Sequence, residues 1–186
     1  MIEDKHVIIA GYETVRIDDL DKFFEKIHEF CNDTSFVQLF NANVVAGWKH
    51  IYLATFNALK AFKNNTNISK NISMEVLLFA SGQHQIKKAL DTLGVNKSIA
   101  DIVVLIVADT KKQGEDILQK ISEMMNKKPC REILDLTDTK IQNVKSLFGI
   151  SSNEIKAASR EKKNKKATIM NLIAEHMAIL SVNHKI

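Results

Sequence analysis

Apolar positions along the chain fall into blocks of two kinds. In the first kind they recur every three or four residues. Leu20, Phe23, Phe24, Ile27, Phe30 and Cys31 do so behind Asp18 and Asp19, as do Ile51, Thr55, Leu59 and Phe62 within the segment from Trp48 to Phe62. Ile86, Ala89, Leu90 and Leu93 follow the same spacing, then Ile117, Leu118, Ile121, Met124 and Met125, then Ile141, Val144 and Phe148 behind Thr137 or Asp138 as a cap. Each set predicts a helix with one buried face. A last stripe of this kind joins Ile169, Leu172, Ile173, His176, Met177 and Leu180.

The second kind is short and continuous. FVQLFNA (36–42), MEVLLFA (74–80), DIVVLIVAD (101–109) and REILDL (131–136) predict strands, and HVIIAGYETVRI (6–17) a strand or bent hairpin. The 101–109 run is apolar almost throughout, as a strand covered on both faces must be. Gly94 stands where a left-handed helix stop is expected. Strands alternate with helices, so the predicted class is α/β. Residues 1–186 are expected to form one domain, a mixed sheet of about five strands covered by helices, with an amphipathic C-terminal helix.

Composition narrows the class. With 45% hydrophobic and 26% charged residues, the 186-residue chain can bury a sizeable core. It has no apolar run of the roughly 18 residues that span a bilayer. The opening MIEDKHVIIAGYE carries acids where an export signal needs bases, so a cytoplasmic location is expected. Cys31 and Cys130 stand far apart without a CxxC pattern and are expected as reduced core thiols.

The net charge of +4 is unevenly spread. Residues 1–33 hold nine acids against four bases, whereas residues 34–88 hold six lysines against Glu75 alone. Residues 151–186 hold seven bases against three acids. An acidic start, a basic middle and a basic tail suit either an anionic partner such as nucleic acid or a solvated surface.

The segment Ala80-Ser81-Gly82-Gln83 between an apolar run and a helix invites a phosphate-binding reading, since Ser81 can cap the helix and free N–H groups there attract anions. Gly82 is its only glycine, however, and Lys87 lies too far into the helix for a P-loop lysine. A serine-capped strand-to-helix corner fits the same residues. His28 and Cys31 are read as packing residues, because a metal would need two further ligands nearby. Trp48 reads as a core anchor or as a stacking platform, His176 as a core or interface histidine, and Arg160 to Lys166 (REKKNKK) as a solvated run. No catalytic constellation emerges.

Three stretches together carry a more specific signal: FNANVVAGWKHIYLATFNALKAF, MEVLLFASGQHQIKKALDTLGV and DIVVLIVAD. They resemble the small regulatory subunit of the KEOPS complex, the family that includes the p53-related-kinase binding protein. The matching features are Asn41 to Val45 (NANVV), the Lys49-His50 pair, the Met74-Glu75 start of the next segment, and Ala80-Ser81-Gly82-Gln83 with Gln85-Ile86. The likeness is strongest over residues 36–110. His84 stands where arginine is usual, and Trp48 where relatives are often polar or basic.

The resemblance implies a non-enzymatic subunit of the complex that makes threonylcarbamoyladenosine in tRNA. Such a subunit binds and supports the kinase-like ATPase subunit and, in archaeal-type members, which this chain is expected to resemble, also captures the single-stranded 3′ CCA end of tRNA. On this reading the tRNA site comprises Lys49, His50, Lys60, Lys63, Ser81, Gly82, Gln83, His84, Gln85, Lys87 and Lys88. The apolar stripe of Ile169, Leu172, Ile173, His176, Met177 and Leu180 is then the candidate interface with the kinase-like subunit, with intramolecular packing as the other reading. No cofactor, metal, membrane or small-molecule substrate is expected. The alternative is an α/β nucleotide-binding enzyme that uses the Ser81-Gly82 turn.

Overall fold

The computed structural model describes residues 2–158 and 164–182. Strand β1 (His6–Tyr12), helix α1 (Leu20–Glu29) and strand β2 (Phe36–Asn41) come first, then helices α2 (Trp48–Lys63), α3 (Ile72–Ser81) and α4 (Ile86–Leu93). Strand β3 (Ile102–Ala108) precedes α5 (Lys111–Met125), α6 (Asp138–Phe148), α7 (Ser152–Ala158) and α8 (Lys165–Val182). Among the described residues the sheet has three strands in the order β1-β3-β2, not the five expected. Both pairings are antiparallel: Ile9 and Gln38 lie opposite Leu105 from either side. The two outer strands are therefore parallel to each other with β3 inserted between them.

Side chains alternate across a strand, so β3 feeds two cores. Val103, Leu105 and Val107, with Phe40 of β2, face a cluster built from α2, α3, α4, α6 and α8. Ile102, Val104 and Ile106, with Leu39 and Tyr12, face Ile27 of α1 and Ile117 and Ile121 of α5. All seven residues of β3 are buried, as its apolar sequence predicts.

Residues 74–80 are not a strand. Asn71 caps a helix by accepting from the N–H groups of Ser73 and Met74, and the chain stays helical to Ser81. Seven consecutive residues of this helix, Glu75 to Ser81, are buried, because α3 packs against α2, α4, α8 and β2 at once. An all-round apolar helix has no period to read and looks like a buried strand. Its one acid, Glu75, is fully buried and accepts from the backbone N–H groups of Ile68 (3.0 Å) and Ser69 (2.7 Å), fastening the α2–α3 connection.

Residues 131–136 also differ from expectation. Arg131–Leu134 form a 3-10 turn laid along the outer side of β1, where the Cys130 N–H donates to the Gly11 carbonyl at 2.8 Å. A side chain at Gly11 would meet Ile133 at about 2.5 Å, so only glycine lets the turn close on the strand. Thr137 then caps α6, and the buried Lys140 donates its ammonium to the Ile133 carbonyl.

The glycines exchange roles. Gly94 has φ −69° and is no left-handed stop; a Cβ there would lie 2.5 Å from the Leu90 carbonyl oxygen. Gly82, at φ 64°, is the left-handed stop, ending α3.

Candidate functional site

The Ser81-Gly82 segment joins two helices and is not the expected strand-to-helix corner. Ser81 is the last residue of α3, buried, and its hydroxyl donates to the Leu78 carbonyl at 3.2 Å. It caps nothing. The chain reverses through Gly82, whose missing side chain faces the Phe148 ring, and Gln83 N–H closes the helix end on Leu78. Gln85 then takes the capping position of α4 without a side-chain bond to the helix. Gln83 is half-buried, while His84, Gln85, Lys87 and Lys88 are exposed, with the apolar Ile86 and Leu90 exposed among them.

His50 is also internal. Its ring is fully buried, accepts from the Ala46 N–H through Nδ1 at 3.2 Å, and lies 2.7 Å from the Ala80 carbonyl through Nε2. Because Nδ1 accepts, the proton sits on Nε2 and is donated to Ala80. Burial pushes its pKa down to about 4, so the ring is neutral near neutral pH. Phe148 meets it edge-on at 5.7 Å between ring centres and in turn contacts His176, tilted, at 5.9 Å. His50 and Ser81 thus leave the expected tRNA-contact set: they weld the first turn of α2 to the last turn of α3.

The remaining lysines separate along α2. Lys49, Lys60 and Lys63 are all exposed. Eleven residues at 1.5 Å each put Lys60 about 16 Å beyond Lys49 along the helix axis. The His50–Ala80 bond places the start of α2, not its end, beside the Gly82 turn. Lys49 is therefore at the turn's end of the molecule, and Lys60 and Lys63 at the other. Lys63 is bonded to Glu3, which raises its pKa.

Periodicity alone did not bring out a feature on the outside of α2. Trp48, Tyr52 and Phe56 are 50%, 36% and 37% exposed, four residues apart on one face. The Lys49 ammonium lies 5.7 Å from the Trp48 ring centre and the Lys60 ammonium 5.9 Å from that of Phe56. Trp48 is thus no core anchor. It borders a cleft of about 370 Å³ between the starts of α2 and α8.

The apolar stripe of α8 faces inward. Ile169, Leu172, Ile173, Met177 and Leu180 are all buried in the larger core and His176 is half-buried, so this face closes the molecule's own core. Among its described residues, the large apolar side chain that α8 exposes is Ile179. Of the basic run, residues 160–163 lie outside the described residues; Lys165 and Lys166 are exposed.

His28 is exposed, and Cys31 is half-buried with its thiol donating to the Ile27 carbonyl. Burial raises the Cys31 pKa and keeps it a thiol. No group of three or more metal-ligating side chains occurs among the described residues, and none of their helices is long and apolar enough to cross a membrane.

Comparison with known proteins matches the chain to a family. The model described as kinase binding protein CGI-121 matches residues 13–181. The regulatory protein Cgi121 of Methanocaldococcus jannaschii is 31% identical over 113 residues, covering 61% of this chain and 70% of the relative. The KEOPS complex subunit Cgi121 of Pyrococcus abyssi is 31% identical over 111 residues, 58% of this chain and 61% of that protein. A more distant relative, the EKC/KEOPS complex subunit CGI121 of Coccidioides immitis, is 25% identical over 91 residues, 48% of this chain and 44% of the relative.

Proposed function

We propose a function from the footing that the chain belongs to the CGI-121 family of kinase binding proteins, matched over residues 13–181. It acts as a non-catalytic subunit of a KEOPS complex, supports a kinase-like ATPase subunit, and takes the unpaired 3′ end of tRNA on its own surface. Its relatives are named as a regulatory protein and as KEOPS complex subunits.

The structural observation that supports the RNA part is one of charge. Glu75 is the single acid between residues 34 and 88, and it is buried. The exposed residues of α2, the Gly82 turn and the first turn of α4 therefore carry lysines with no acid among them. Such a surface neutralises phosphates, so affinity for tRNA falls as salt rises. Gln83, His84 and Gln85 offer donors and acceptors to bases or riboses beside Lys87 and Lys88, a combination suited to single-stranded RNA.

The test is a titration of tRNA with and without its CCA end against the wild type and a Lys49/Lys87/Lys88→Glu variant. Tight binding is expected only for intact tRNA and wild-type protein. Equal affinity in all four combinations would remove the RNA role. Co-purification with the kinase-like subunit checks the partnership separately, and its absence from purified complexes would count against that half.

A further inference from the structure

We propose that an unpaired stretch of RNA lies along the outside of α2, with its leading base stacked on Trp48 in the cleft between the starts of α2 and α8. This deepens the tRNA-end reading and rests on it, but it names a different contact surface from the Gly82 turn.

Three observations carry it. The first is the row of rings. Trp48, Tyr52 and Phe56 recur every four residues, so they rise about 6 Å from one to the next, a step that suits bases splayed out of a helix. Ordinary core packing does not leave a tryptophan half exposed at 50%. The second is the placing of cations. Lys49 and Lys60 sit over two of the rings, and α2 has no acid in its sixteen residues. Lysine beside exposed aromatics is the composition of single-strand binding surfaces, whereas the cores of protein interfaces are depleted of lysine.

The third is the cleft itself. Lys49 and Asp135 line it on one side of Trp48, and Lys166, Met170 and Asn171 of α8 face it from the other. Met170 gives an apolar wall for a base, Lys49 and Lys166 are placed for its phosphate, and Asp135 and Asn171 for its polar edge. The first turn of α2 begins at Gly47, which has no side chain to cap it, and carries Lys49 where an acid is usual. A phosphate at that end meets both the helix and the lysines. The end of the basic run that opens α8 acquires a role here: Lys166 supplies charge to this cleft.

Trp48 is the only tryptophan in the chain, so its emission reports the stack directly. Short single-stranded RNA ending in CCA should quench it in a salt-sensitive way, whereas duplex RNA of equal charge and inorganic phosphate should not. Trp48→Ala should weaken the single strand by about fivefold or more, and Trp48→Phe should keep most of the affinity. Lys166→Gln should flatten the salt dependence. Unchanged emission with an RNA that binds by anisotropy would place the RNA elsewhere and overturn the proposal while leaving the tRNA-end reading intact. Equal quenching by duplex would also overturn it. No binding of any RNA would remove both readings. If Trp48→Ala released the kinase-like subunit with RNA affinity unchanged, the row of rings would belong to the protein partner instead.

Discussion

His50 sits at the junction of α2 and α3 with both ring nitrogens engaged. Its folded pKa of about 4 lies below the ordinary value of 6.5. The unfolded chain therefore takes up a proton first as pH falls, and the native state loses stability across that interval. The His50 contribution should be complete above pH 6.5, decline from 6.5 to about 4, and amount to about 3 kcal/mol in all. Denaturation in urea across this range, compared between wild type and His50→Gln, checks it: the variant should show a shallower slope. Glu75 acts by a similar logic on a loop. Replacing it with alanine strands the N–H groups of Ile68 and Ser69, which should cost at least about 2 kcal/mol and speed amide exchange at those two residues first. Neither role was legible in the sequence. His50 follows a lysine in a helix otherwise suited to an anionic ligand, and only the position of Ala80, thirty residues on, turns its ring inward.

At the level of elements, legibility followed contrast between faces. α1, α4 and α5 carry a polar side and were readable by period alone. α3 has no polar side, so its helix nature lies in the Asn71 cap and in the helices packed around it. The Arg131–Leu134 turn was unreadable for another reason: its conformation depends on Gly11 and Lys140, which come from elsewhere in the chain. α8 was readable as a helix, but the stripe alone left open whether it faced a partner or its own core. Met177→Ala should cost about 2–5 kcal/mol by leaving a cavity, and Ile179→Ala less than about 0.5 kcal/mol. Melting of the two variants decides it, since comparable losses would mean that the helix is turned differently. At the end of α3, Gly82→Ala should lower stability by about 1 kcal/mol from its left-handed backbone alone, because a methyl there meets Phe148 only at 3.4 Å.

For the molecule as a whole, the chain order of the strands has a consequence for biosynthesis. Both outer strands leave the ribosome before the central one, and among the described residues each has β3 as its only ladder partner. A nascent chain halted at residue 100 thus holds two edges and nothing to zip them to. Its helices α1 to α4 can form, but the apolar sides of β1 and β2 stay open until Ile102–Ala108 arrives between them. Arrested intermediates shorter than about 100 residues should be cleaved rapidly by protease and should recruit chaperones, and protection should appear in one step once β3 has cleared the exit tunnel. Protection that grew gradually from the first strand onward would contradict this account of co-translational folding.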